Sequence, residues 1–147
     1  MRKLFFTTLI AAVCSASAFA EYKMYLMGDT SFCRPAEGFS INIGDDNIKI
    51  SGNGENASFT KAAVDGIKFL KPLVIDFSDL SASKNSPDGV TVDVVNSDVT
   101  VTFAEDFGVN HYDVIVTGKS DNGSLTINQS SKLTLTLDNL SLSAKGK

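Results

Sequence analysis

Leu73-Val-Ile-Asp-Phe-Ser-Asp-Leu-Ser81 and, sixty positions later, Leu133-Thr-Leu-Thr-Leu-Asp-Asn-Leu-Ser141 decide how this chain is read. Each alternates apolar with polar residues, reaches a polar corner at Ser78-Asp79 or Asp138-Asn139, and resumes with a leucine. Alternation of period two sends successive side chains to opposite faces, the signature of a half-buried strand. A shorter unit of strand, corner and strand recurs at Ile41–Ile50, Val92–Val101 and Leu125–Leu135.

Outward from these stretches the same rhythm fills the chain. Glu21 to Leu26 makes a first strand, followed by an irregular stretch from Met27 to Gly38. Gly28-Asp29-Thr30-Ser31 within it is similar to the opening of SGNH-type esterases. Thr30 stands where those have the serine, however, and no Asp-x-x-His pair follows, so the reading there is a turn. Phe59, Ala63, Ile67 and Leu70 follow the helical period and admit a short helix over Ser58–Leu70, interrupted by Gly66. Asp121-Asn122-Gly123 is a strong turn that could serve a hairpin. Pro35, Pro72 and Pro87 all fall outside the alternating runs, so every expected strand keeps its backbone donors.

Some ten short strands rich in β-branched residues predict a mainly β protein. Echoed strands with similar polar corners favour a right-handed parallel β-helix, a single-stranded solenoid whose coils stack like on like. A β-sandwich built of hairpins is the alternative.

Met1 to Ala20 has the form of a cleaved secretory leader: Arg2-Lys3, an apolar run from Leu4 to Val13, and Ala18-Phe19-Ala20 before the cut. Residues 21–147 then form one β domain, secreted, periplasmic or held at the cell surface of a bacterium. No later stretch suits a membrane span, so no membrane insertion is expected. Loss of Arg2 and Lys3 takes the net charge from −4 to −6. That balance disfavours nucleic acid as a partner and permits cations. Cys33 is left alone, which excludes an internal disulfide framework.

Pro72 to Leu80, Ser86-Pro-Asp-Gly-Val-Thr-Val92, Asn96-Ser-Asp-Val-Thr-Val-Thr-Phe-Ala-Glu105 and Gly123-Ser-Leu-Thr-Ile-Asn128 together resemble the Cthe_2159-like family of exported bacterial carbohydrate-binding proteins. The resemblance covers about Phe39 to Ala144. It implies a right-handed β-helix, like pectate lyases in fold without being a lyase, that binds acidic plant cell-wall polysaccharide with calcium. Family members run through more coils, so an incomplete C-terminal end, or self-association through an uncapped coil, is expected.

Sugar recognition combines ring stacking with polar contacts to hydroxyls, and the chain has no Trp. Phe107, Asn110, His111 and Tyr112 are the expected ligand-binding residues, with Tyr112 the best candidate for an exposed ring. Calcium takes six to eight oxygens, for which Asp79, Asp98, Glu105 and Asp106 are the expected ligands, the last two foremost. No catalytic constellation emerges: the single His is His111, and Arg34 is the lone arginine outside the leader. A surface structural or adhesin segment is the competing function, and a polysaccharide lyase a more distant one.

Overall fold

A computed structural model describes residues 22–28, 32–82 and 86–143. The expected leader and the turn at 29–31 lie outside them. The elements are β1 (Lys23–Gly28), β2 (Phe32–Pro35), β3 (Phe39–Ile43), β4 (Asn47–Gly52), β5 (Glu55–Thr60), β6 (Val64–Leu70), β7 (Leu73–Asp76), β8 (Val90–Val95), β9 (Asp98–Phe103), β10 (Tyr112–Ser120), β11 (Ser124–Asn128) and β12 (Leu133–Leu142). Two short 3-10 turns, Lys61–Ala63 and Leu80–Ala82, complete them. The protein is mainly β, and among the described residues no helix is long and apolar enough to cross a membrane. The chain divides into two compact units between Phe69 and Leu70.

The N-terminal unit holds two three-stranded sheets, ordered β2-β1-β6 and β3-β4-β5. Met24 and Leu26 from the first and Ile48 and Ile50 from the second form one buried cluster, with Phe32, Phe39, Ile41, Phe59, Val64 and Ile67 packed against it. The irregular stretch expected at 27–38 contains β2, which pairs antiparallel with β1 from Leu26↔Phe32 to Lys23↔Pro35. The Gly44–Asn47 corner closes an antiparallel hairpin, Ile43↔Ile48 to Phe39↔Gly52.

The helix expected at Ser58–Leu70 does not form. Asn53 (φ 50°) and Gly54 (φ 79°) make a two-residue turn between Gly52 and Glu55, the left-handed pair that suits the twist of a hairpin. The turn carries Glu55–Thr60 back along β4, and pairing with Asn47–Gly52 takes the backbone groups a helix would have used. Of the helix, one 3-10 turn remains.

The C-terminal unit pairs its strands differently. β10 runs parallel to both β7 and β12, giving the sheet order β12-β10-β7. β9 runs parallel to β11 and antiparallel to β8, giving β11-β9-β8. The chain visits the two sheets alternately: β7, then β9, β10, β11 and β12. Leu73 and Leu135 flank Val114, and Ile75 and Leu137 flank Val116. The two echoed stretches therefore align two residues away from their sequence match, with Leu73 opposite the column of Leu135 rather than Leu133. The shift is even, so every side chain keeps its face.

Between those sheets lie Leu73, Ile75, Val99, Val101, Val114 and Val116, all essentially inaccessible to water. The Asn96-Ser97 corner is a hairpin turn, Val95↔Asp98 to Val90↔Phe103. Asp121-Asn122-Gly123 joins β10 to a strand of the other sheet and makes no hairpin. Gly118 lets β10 bend over the first corner: at φ 88° it leaves no room for a β-carbon, which would stand 2.3 Å from Asp76 Oδ1 and 2.6 Å from Ser78 N.

Candidate functional site

The link from β9 to β10 was expected to carry the site, and its packing is set by three rings. Phe103, Phe107 and Tyr112 meet edge to face, with centroids 5.3 Å (Phe103–Phe107), 5.3 Å (Phe107–Tyr112) and 6.0 Å (Phe103–Tyr112) apart. Tyr112 is 0 % exposed and Phe107 3 %. Neither presents a face to solvent, which corrects the expectation of Tyr112 as an exposed stacking ring. The Tyr112 hydroxyl donates to the Lys71 carbonyl at 2.7 Å. Burial pushes its phenol well above the ordinary tyrosine range, and the Asp113 carboxylate beside it adds to the shift.

His111 is half-buried in the left-handed region (φ 58°), and its N–H donates to the Lys132 carbonyl at 2.6 Å. Asn110 beside it is half-buried, and Val109 is inaccessible. The loop is thus a plug held by Phe107 and Val109, with the polar backbone of His111 fixed to the start of β12.

Glu105 and Asp106 occupy the exposed middle of a turn closed by Phe107 N–H to Ala104 O at 3.1 Å. Asp98 begins β9, while Glu105 follows its end; at 3.3 Å per residue the strand alone separates them by about 16 Å. Asp98 accepts from Ser124 Oγ at 2.5 Å on the next strand. Asp79 lies in another corner, where its carboxylate accepts from Ser81 Oγ at 2.5 Å. The four expected calcium ligands are therefore not brought together, and among the described residues no three His, Cys, Asp or Glu side chains converge.

What the fold does assemble is the outer face of the sheet β11-β9-β8. The registers place Val95, Asp98 and Ser124 in one row, Asp93, Thr100 and Thr126 in the next, and Thr91, Thr102 and Asn128 in the third. The alternate residues, Val92, Val99, Val101, Leu125 and Ile127, face the other way, toward the apolar interior. Thr91, Asp93, Thr102, Ser124, Thr126 and Asn128 are exposed; Asp98 and Thr100 are half-buried. With strands about 4.8 Å apart and alternate residues about 6.7 Å apart, the rows form a regular grid of hydroxyl, carboxylate and amide groups, interrupted at one corner by the exposed side chain of Val95. Of the expected site residues only Asp98 belongs to it. The other members were visible as outward positions of the strands, but their registration in rows depends on pairings that alternation does not specify.

Two further groups bear on function. Arg34 Nε donates to Glu55 Oε2 at 2.7 Å, so the one arginine considered as a lyase base is engaged in an exposed ion pair. In the N-terminal unit, an apolar cleft lined by Ile43, Ile48, Val64 and Ile67 has only Lys61 and Asp65 as polar side chains.

Comparison of the chain with protein-family models, with curated proteins and with solved structures finds no match in any of the three.

Proposed function

We propose that this is an exported, non-catalytic polysaccharide-binding protein of the bacterial periplasm or surface, in which the strands from β7 to β12 wind as a right-handed parallel β-helix. Parallel pairing of β10 with both β7 and β12, and of β9 with β11, supports the coil over a sandwich, because neighbouring parallel strands require crossovers rather than hairpins. The observation that carries the function is the grid on β8, β9 and β11. Apart from Val95, its side chains are donors and acceptors held at fixed spacing on a sheet, a good match to the equatorial hydroxyls of an extended sugar chain. It contains no aromatic ring, so recognition rests on hydrogen bonds and favours a long polymer with many weak contacts. Calcium enters this reading as a ligand to be tested, with Asp98 the carboxylate on the grid.

Co-sedimentation with insoluble cellulose and with pectin gel, each with and without chelator, tests the proposal. The protein is expected to deplete from solution with at least one of them. Thr100→Val with Thr126→Val removes two hydroxyls from the middle row while keeping β-branched side chains. At about 1 kcal/mol per net hydrogen bond, this double change should weaken binding at least tenfold. Depletion with neither polymer would leave the competing reading, a surface structural segment. Unsaturated uronide released from polygalacturonate, seen by absorbance, would restore the lyase.

A further inference from the structure

β12 is the last strand of its sheet and, among the described residues, pairs only with β10. Within the described residues its other side is an open edge. Leu133-Thr-Leu-Thr-Leu-Asp138 contains no proline and no inward charge, the devices that keep edges from pairing. Its apolar side continues the two innermost columns of the unit, Leu73–Val114–Leu135 and Ile75–Val116–Leu137. Exposure along them runs 0 %, 0 % and 47 %, then 0 %, 0 % and 62 %. At each column's end a leucine that matches the buried positions stands in water.

We infer that this edge pairs with the β12 of a second copy of the chain, antiparallel, about a twofold axis through Leu135. The strand is self-complementary in that register. Leu135 faces its own counterpart, Leu133 faces Leu137 of the other copy and Thr134 faces Thr136. On the polar side Lys132, exposed at the head of the strand, faces Asp138. Each charge pair occurs twice by symmetry. The matched segment ends where regular pairing ends: a bulge follows Asp138, where Thr117↔Asp138 is succeeded by Lys119↔Ser141 and Asn139 turns to φ 50°.

The rival arrangement continues the stack, with β12 of one copy lying parallel beside β7 of the next. Repeating the observed columns would then set Asp138 beside Asp76, which Thr117 now separates. Like charges directly opposite destabilise a strand pair, and the antiparallel register replaces them with opposite charges. The inference does not rest on polysaccharide binding.

Sedimentation equilibrium across a wide range of concentration, on the protein as processed by the cell that makes it, reads the outcome. A monomer–dimer equilibrium is expected. Leu135→Lys places two ammonium groups face to face on the axis and should give monomer at every concentration, with an unchanged circular dichroism spectrum because Leu135 is half in water already. Lys132→Asp and Asp138→Lys each turn both attractive pairs into repulsive ones and should raise the dimer Kd about tenfold, while the double exchange restores it. A protein that stays monomeric, a dimer indifferent to the charge exchange, or open-ended oligomers of stacked copies would each overturn the inference.

Discussion

Tyr112 shows how a side chain suited to recognition is taken by the core. Its ring completes the cluster with Phe103 and Phe107, and its hydroxyl satisfies the Lys71 carbonyl. Tyr112→Phe should cost about 1 kcal/mol of stability in urea unfolding, the usual net value of one hydrogen bond. Because burial raises the phenol in the folded state above its unfolded value near 10, the neutral ring stabilises the fold in full below that pH. Above about pH 10 the unfolded chain ionises first, and stability falls by up to roughly 1.4 kcal/mol per pH unit. The slope should be shallower in Tyr112→Phe by that one group. Gly118 gives a second test: Gly118→Ala forces a β-carbon onto Asp76 and Ser78 at positive φ and should destabilise by about 2 kcal/mol or more, measured by denaturant midpoint.

At the scale of elements, alternation identified strands at Ile41–Ile43, Val92–Val94, Val99–Phe103 and Leu133–Leu137 without saying what they pair with. The three strand-corner-strand units are alike in pattern, yet two are hairpins and the third, β11 to β12, passes between sheets. Connection length separates them: two residues between Val95 and Asp98, three between Ile43 and Asn47, and four between Asn128 and Leu133. Short links favour direct antiparallel return, and a left-handed residue strengthens the preference in the shortest of them. Asn53-Gly54 was the readable signal against the helix at Ser58–Leu70, since Asn-Gly between alternating runs marks a hairpin more strongly than four apolar residues mark a helix face. Asn96, at φ 57° in the β8–β9 turn, follows the same rule. Asn96→Gly should leave the melting temperature nearly unchanged, whereas Asn96→Val should lower stability by about 1–2 kcal/mol, the penalty of a left-handed residue with a branched side chain.

At the scale of the molecule, the columns across β7, β10 and β12 make stability depend on position in the stack. Ile75, Val116 and Leu137 have equivalent places on their strands, but only the first two are surrounded. Truncation of a buried aliphatic side chain removes its transfer energy and leaves a cavity, so Ile75→Ala should cost about 2–4 kcal/mol and Val116→Ala about 1.5–3 kcal/mol. Leu137→Ala, with most of its side chain already hydrated, should cost less than about 1 kcal/mol in dilute solution. If two copies join through β12, that last value has to grow with protein concentration, because the dimer removes from water the surface the truncation deletes. The inner two should not change with dilution at protein concentrations too low for dimer to form. Urea unfolding of the three variants at a low and a high protein concentration therefore measures both the gradient along the columns and the fate of their exposed end. A Leu137→Ala cost that is independent of concentration would assign β12 a free edge in solution.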